Sequence, residues 1–453
     1  MLQNTFQLRY YQQDAVNVFT EGGCNNGIIV LPTGTGKSLV ISAIAHYFSD
    51  KKILVLQPSK EILVQNYEKY QTYSDDASIF SASLNTKEIG RVTFATIGSV
   101  IKLQHNILKQ FSIIIIDECH LVNKDGQYSD LIRIIQPNKL IGLTATPYRN
   151  NTTGIGMRYE MLTRKRDSIF QTIAYKYEIQ DCIKNGFWSP IKYHTPVEYN
   201  AGKIQLKGSD YNDLAIAEHN FEIKLHEVIQ QTIESSDRKH FLVFLSTITE
   251  CEYTAKLLKN AGISCREVHS KMPKKEREDI LSGFQDGTIK VVLNVGVCTT
   301  GFDFPALDCL ILGRPTLSLS LYYQMLGRGV RIHSKKSHCD IYDLCGNVKH
   351  FGRIETLKFV GDNYKALGLT SEKQILIPPT KTYLNKIGYI GYNNIADTVL
   401  KYGKYEGMTV NEVYKQNPSY IDFCIENQTS FTGLFQRFLQ EREMAANALM
   451  KQI

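Results

Sequence analysis

Leu31–Ser38 reads LPTGTGKS, and Ile113–His120 reads IIIIDECH. The residues before the first stretch, Gly27–Leu31, form a short apolar run that predicts a buried strand. Thr33, Gly34, Thr35 and Gly36 then turn the chain into a helix expected from Lys37 to about Phe48. Glycine lets a backbone approach phosphate oxygens without a Cβ clash. The N–H groups of such a loop point at an anion, and the helix dipole favours its charge. Lys37 is placed to reach the β and γ phosphates of a nucleoside triphosphate, and the Ser38 hydroxyl to ligate Mg²⁺. The general phosphate-loop pattern asks for Gly where this chain has Leu31, while the narrower form PTGxGKS is complete.

Phe111–Ile116 reads FSIIII, too uniformly apolar for a strand with one wet face. It predicts a central parallel strand buried on both sides. Asp117 and Glu118 follow at its C-terminal end, where open α/β sheets place their ligand sites. In that position Asp117 is suited to hold Mg²⁺ through water, and Glu118 to orient and deprotonate an attacking water. Residues 1–148 alternate strand-like and helix-like stretches, the pattern of a parallel sheet with helices on both faces. A second alternating pattern starts at His240, with Phe241–Leu245, Val291–Val295 and Leu310–Leu312 as its clearest strands and no phosphate loop of its own.

The chain has 453 residues, a formal charge of +7 and ordinary globular composition, so two to four domains are expected. No apolar run approaches about 18 residues, which excludes a helical membrane span. MLQNTFQLRYYQ lacks the basic-then-apolar order of a secretory signal, so the expected compartment is the cytoplasm. Ten cysteines are scattered with no CxxC pair, which reads as reduced, mostly buried thiols. His338, Cys339, Cys345 and His350 have the wrong spacing for a zinc finger, and CDIYDLC alternates like a strand. Basic residues bunch at Arg158, Arg164, Lys165 and Arg166, a face suited to a nucleic-acid strand. A second bunch, Lys271, Lys274, Lys275 and Arg277, is mixed with acids and reads as a solvated helix. Trp188, the only tryptophan, follows a helix expected to end at Gly186 and is expected to pack rather than to stack on a base.

Further blocks occur in order: LRYYQ (Leu8–Gln12), VLQPSKE (Val55–Glu61), TFATIGS (Thr93–Ser99), LTATP (Leu143–Pro147), LVFLS (Leu242–Ser246), TTGFD (Thr299–Asp303) and QMLGRGVR (Gln324–Arg331). With LPTGTGKS and DECH, the set resembles the superfamily 2 helicases of the DExH branch, and most closely the RadD type of DNA-repair helicase-like ATPases, over roughly residues 8–350. The resemblance implies two tandem RecA-like lobes, 1–148 and 236–355, joined by a connector and accessory segment, 149–235. It implies ATP and Mg²⁺ as cofactors, with Gln12 and nearby Arg9 holding adenine, and Gly301 and Asp303 on the ribose side. Arg328 and Arg331 become arginine fingers, Gln324 and His120 link the lobes across the nucleotide, and Thr144 and Thr146 couple hydrolysis to lobe movement. The grip on a strand is expected from Thr96 and Ser99 in the first lobe and Ser246 and Thr299 in the second, through phosphate contacts with little sequence preference. The partner implied is DNA, single-stranded or branched, with a single-stranded DNA-binding protein as a further partner of RadD-type proteins.

The tail, 356–453, departs from that type, which continues into a cysteine-rich zinc region where this chain has only Cys424. Residues 400–427 instead resemble the small C-terminal module of exodeoxyribonuclease X-like proteins, without an accompanying nuclease carboxylate set. Thr409 and Glu412 have the spacing of a capping box, and Gly403 and Gly407 flank a tight turn. Phe431, Leu434, Phe435, Phe438 and Leu439 follow helical spacing, expected to pack on the protein's own core. The expected function is an ATP-driven DNA translocase or helicase of repair or recombination. An RNA-directed motor and the motor subunit of a restriction or phage-defence complex stay open, because motor lobes grip backbone. An ATP-gated nucleic-acid clamp is disfavoured by intact Lys37, Glu118 and Arg331.

Overall fold

The computed structural model describes the chain except for residues 1–6, 154–155, 165–166, 299–301, 361–367, 373–374, 378–399, 401–403, 428–434, 436–437 and 440–453. It forms two compact units, Met1–Lys358 and Phe359–Ile453. Within the first unit lie two parallel sheets. The first uses β1 (Asn26–Val30), β2 (Ile53–Gln57), β3 (Ala77–Ser81), β4 (Thr86–Lys87), β5 (Val92–Thr96), β6 (Ile113–Asp117) and β7 (Lys139–Thr144). A hairpin follows, β8 (Tyr148–Thr153) and β9 (Gly156–Met161), and then β10 (Ile173–Lys176). The strand order is β10-β1-β7-β6-β2-β5-β3-β4, parallel except for β4.

The isoleucine run occupies the middle of this sheet, as its composition predicts. Ile114, Ile115 and Ile116 are fully buried, with β7 on one side and β2 on the other. Burying each side chain stabilises by roughly 1.5–3 kcal/mol. The register sets Val30 beside Thr144 and Asp117 beside Leu143, so the ends of β1, β7 and β6 form one ledge. Gln57 and Thr96 pair farther along the same edge.

The second sheet joins β11 (Ile191–His194), β14 (Phe241–Phe244), β15 (Cys265–His269), β16 (Val291–Val295), β17 (Cys309–Leu312) and β18 (Cys339–Asp343), with the short pair β12 (Leu206–Lys207) and β13 (Asp210–Tyr211) outside it. Its order is β11-β18-β17-β14-β16-β15, all parallel. CDIYDLC therefore supplies strand β18, with Cys339 and Cys345 buried. The connector, 149–235, gives a strand to each sheet: β10 to the first and β11 to the second. Between them the helix Ile179–Lys184 stops at Asn185, and Gly186 takes the left-handed φ of 65°.

In the second unit Thr409 and Glu412 make the capping box read from the sequence, and Pro418 opens the next helix, Pro418–Glu426. Val410, Val413, Ile421 and Cys424 bury against Phe435 and Phe438, with Leu439 packed alongside. Gly403, Phe431 and Leu434 lie outside the described residues. Among the described residues no helix is long and apolar enough to cross a membrane.

Candidate active site

The helix Lys37–Tyr47 begins one residue after Gly36, whose φ of 84° and ψ of 41° are left-handed; Gly34 has φ 80°. A Cβ on Gly36 would stand 2.4 Å from Gln12 Nε2. That amide reaches under the loop and donates to the Thr35 carbonyl at 2.8 Å, beside the Tyr11 hydroxyl at 2.9 Å. Gln12 Oε1 accepts from the Arg9 N–H at 2.9 Å. One donor and one acceptor site of the Gln12 side chain are thus spent on the loop and on its own helix, Tyr10–Thr20. The Arg9 guanidinium stacks over Phe187 at 4.1 Å.

A cleft of about 610 Å³ lies above the loop, lined among others by Lys37, Ser38, Asp117, Glu118, Gln324 and Arg328. Thr33, Gly34, Gly36, Thr146, Asp303 and Arg331 line it too. Twelve of the sequence-predicted residues, from both lobes, thus meet at one cavity, whereas Arg9, Gln12 and Thr35 do not line it. Asp117 is buried; its carboxylate accepts from Asn66 Nδ2 at 3.1 Å and from the Glu118 N–H at 3.0 Å. Burial, and then the Glu118 charge, raises its pKa to about 6. Glu118 goes the other way: burial pushes it up, but Lys37 and then His120 outweigh that and hold it well below the usual carboxylate range. Lys37 Nζ is 3.6 Å from Glu118 Oε1. Adjacent carboxylates pushed apart in this manner mark a site built to divide roles between them. Glu118 holds a left-handed backbone, φ 49° and ψ 48°, a conformation costly for a residue with a side chain.

His120 Nδ1 lies 3.2 Å from Glu118 Oε2 and 3.0 Å from Thr144 Oγ1, while Nε2 lies 3.4 Å from Gln324 Nε2. An amide NH₂ can only donate, so Nε2 is the acceptor and Nδ1 carries the proton toward Glu118. Gln324 therefore joins the second lobe to the first through His120. Thr144 Oγ1 also accepts from the Thr146 N–H at 3.0 Å. Arg328 is buried and donates to the Phe302 carbonyl at 2.6 Å. Arg331 pairs with Asp303, and its Cγ comes within 3.7 Å of where a Gly34 Cβ would stand. Burial lowers the Arg331 pKa to about 10, so it stays a cation at neutral pH.

Not every expected residue reaches a working position. Thr96 and Ser99 are half-buried, their hydroxyls 3.0 Å apart, and Ser99 also accepts from the Ala82 N–H. Ser246, expected on a strand-gripping surface, is instead 4% exposed. The reason is its neighbour. Thr247 and Glu250 cap the helix Ile248–Asn260, and the Glu250 carboxylate folds back to accept the Ser246 N–H at 3.2 Å. Thr299 and Gly301 lie outside the described residues, as do Lys165 and Arg166 of the first basic bunch. In the second bunch Lys274 pairs with Glu278 at 3.3 Å, and Arg277 comes within 3.9 Å of Glu61 in the first lobe. Trp188 is buried, as expected, and its indole N–H donates to the Thr33 carbonyl at 2.9 Å. Sequence reasoning missed Asn66 and Tyr323, since neither sits in a block whose pattern names it.

A phosphate loop, a paired acidic turn and facing arginines from a second parallel sheet define a two-lobed nucleoside triphosphatase of the RecA-like kind. Residues 5–149 match the family described as type III restriction enzyme, res subunit, and 223–333 match the helicase conserved C-terminal domain. Residues 400–428 match the exodeoxyribonuclease X-like C-terminal family. The paired matches are those of a superfamily 2 helicase motor, and they support an ATPase or helicase activity. It is 26% identical over 312 residues to a 51.5 kDa protein of a Lactococcus phage, covering 68% of this chain and 64% of that one. It is 27% identical over 369 residues to the helicase-family protein IRC3 of Saccharomyces cerevisiae, covering 75% and 51%. The DNA 3'-5' translocase XPB2 of Sulfurisphaera tokodaii is 25% identical over 377 residues, covering 74% and 81%. The chain thus spans less than two thirds of the length of the first two relatives. In fold it matches the type ISP restriction-modification enzyme LlaBIII bound to DNA, with a TM-score of 0.59 and 16% identity over 76% of this chain and 28% of that one.

Proposed function

We propose that this chain hydrolyses ATP between its two lobes to drive movement along a DNA backbone, in the manner of RadD-type repair proteins. The observation that carries the reading is the shared cleft: Lys37, Asp117 and Glu118 from the first lobe face Gln324, Arg328 and Arg331 from the second across about 610 Å³. Lys37 and the loop N–H groups hold the phosphates. Glu118, kept ionised, accepts a proton from the attacking water, while the His120 Nδ1 proton keeps its second oxygen oriented. Arg328 and Arg331 stabilise charge on the transferring phosphoryl group, and Arg331 exchanges Asp303 for phosphate as it does so. Asp303 lines the same cleft, and Gln12, beneath the loop with Arg9 beside it, is the residue assigned to adenine.

The residues suit magnesium. Ser38 and Asp117 share the cleft, and a hydroxyl beside a buried carboxylate is the oxygen donor set that a hard divalent cation takes. A magnesium ion held there would neutralise charge on the β and γ phosphate oxygens. Release of the γ-phosphate removes the charge that draws the arginines in, so the lobes part and a gripped strand is stepped.

DNA is favoured over RNA by the similarity to XPB2, a DNA 3'-5' translocase. The restriction-subunit description of the family matched at residues 5–149 supports a second reading, the motor part of a restriction or defence assembly. ATP turnover measured with no nucleic acid, single-stranded DNA, duplex, forked DNA and RNA tests both. Stimulation by DNA is expected, forked DNA above duplex for a repair role and duplex above fork for a restriction motor. Stimulation by RNA alone would overturn the DNA reading. Arg331→Ala is expected to cost more than about a hundredfold in kcat, and unchanged turnover would refute its role. Binding of a single-stranded DNA-binding protein, by pull-down with the full chain, tests the repair assignment separately.

A further inference from the structure

The phosphate loop is held from two sides, and the two sides belong to different lobes. Its later half is anchored within the first lobe, where the Thr35 carbonyl accepts from both Tyr11 and Gln12. Its earlier half is anchored at Thr33. There the backbone N–H donates to the Tyr323 hydroxyl at 3.3 Å, and the carbonyl accepts from Trp188 Nε1 at 2.9 Å. Tyr323 lies on the helix Leu319–Leu326 of the second lobe, one residue before Gln324. Trp188 stands where the connector passes between the lobes: Phe187 before it packs on Arg9 and Tyr11 of the first, and the residues after it are bonded to the second. Its neighbour Ser189 donates its N–H to the Val330 carbonyl at 2.7 Å, and Pro190 accepts from the Cys339 N–H at 2.9 Å. The rings of Trp188 and Tyr323 lie 6.2 Å apart. Gly327, just beyond, is closely packed against the loop: a Cβ there would stand 3.1 Å from Thr33 Cγ2.

We propose that Trp188 and Tyr323 are positioning residues that clamp the Thr33 backbone from the side of the second lobe, so that the phosphate loop holds its working shape only while the lobes are together. The inference rests on the reading that this cleft binds and cleaves ATP. Thr33 offers two backbone groups, an N–H and a C=O from adjacent peptide units. Thr33 is 9% exposed, Trp188 5% and Tyr323 2%. A buried N–H or C=O must find a partner, and here Tyr323 leaves when the second lobe swings away. Thr35 keeps its partners in either state. The loop is therefore fixed at one end and lobe-dependent at the other, which makes phosphate affinity itself a function of closure. Neither residue touches the reacting atoms; both act through Thr33 on the cradle that Lys37 completes.

Trp188 is the chain's only tryptophan, so its emission reports the clamp without a label. The full chain, as wild type and as Glu118→Gln, is titrated with ADP and with a non-hydrolysable ATP analogue while emission is read. A saturable change is expected with the analogue in both proteins, because closure needs triphosphate and not turnover. ATPase kinetics are then measured on Tyr323→Phe, which removes one hydroxyl and keeps the ring. Its KM for ATP is expected to rise roughly fivefold to tenfold, equivalent to one hydrogen bond, with kcat falling less and the melting temperature held. A purely structural role would move the melting temperature and leave KM alone. Unchanged KM in Tyr323→Phe, in a wild type that turns over, overturns the clamp and spares the ATPase reading. So does emission that is the same in the nucleotide-free, ADP and analogue states of a chain that binds all of them. A wild type that binds no nucleotide overturns both.

Discussion

Each lobe contains a strand that runs into a left-handed glycine and then a helix, and the two copies end differently. In the first lobe β1 leads through Gly36 into Lys37–Tyr47, and Gly34, Gly36, Lys37 and Ser38 line an open cleft. In the second, β18 leads through Gly346, φ 74°, into the short helix Asn347–Phe351. There the strand's own last residue, Asp343, supplies the anion. Its buried carboxylate accepts from the N–H of Val348 at 2.6 Å, the N–H of Cys345 at 3.2 Å and Asn347 Nδ2 at 3.3 Å. The helix start in one lobe is satisfied internally, and in the other it waits for a ligand. Similar backbones thus give a finished structural joint or a binding site, depending on whether the chain brings its own negative charge. The same contrast holds at neighbouring strand ends. Glu250 covers Ser246 and Thr247 in the second lobe, and Asn294 Oδ1 accepts from Val297 and Cys298, whereas Asp117 and Glu118 remain turned to the cavity.

Five substitutions test this contrast. Lys37→Ala and Glu118→Gln should each abolish more than about 99% of ATP turnover; substantial activity in either would break the assignment of the open end as the working one. Asp343→Ala should leave buried donors without an acceptor and cost about 3 kcal/mol of stability, read as a lower denaturant midpoint. An unshifted midpoint would mean that the closed joint carries no weight. Asp117→Asn should do the reverse in the nucleotide-free protein. A carboxyl whose folded pKa is raised, here to about 6 from an ordinary 3.8, penalises folding once the unfolded chain ionises it. The penalty therefore grows from about pH 4 to pH 6 and stays constant above. Replacing the group should raise stability by roughly 1–3 kcal/mol at pH 8 and by little at pH 4, measured as melting temperature against pH. A gain confined to acid would reverse the sign and refute the burial argument. Arg277→Ala, which removes a partly exposed ion pair to Glu61, should change stability by no more than ~0.5 kcal/mol. A larger loss would show that charge at the lobe rim, and not the cleft, holds the unit together.

Much of this was legible from residue order. LPTGTGKS and IIIIDECH named the first-lobe ledge, since a local turn and a buried strand are both short-range facts. The arginines could be assigned because QMLGRGVR came last in a consistent series. What stayed hidden was pairing across distance. Nothing near Asn66 announces that its amide will reach Asp117, 51 positions away, and nothing near Trp188 points to Thr33, 155 positions back. Ser246 was misread although the clue lay beside it: Thr247 and Glu250 spell a capping box, which commits that carboxylate to the strand end. Asp343 was equally visible as a residue and invisible as a ligand, because its role depends on the left-handed turn at Gly346.

The twisted backbone at Glu118 carries a consequence for durability. A glycine or asparagine would sit in that φ, ψ region with less steric cost, so relaxing the turn is a cheap route to a sturdier chain. Every such route discards the residue proposed as proton acceptor. Selection for stability alone would drift toward a protein that survives heating well and, on that proposal, turns over nothing; a glutamate in so awkward a seat is then a cost borne for turnover.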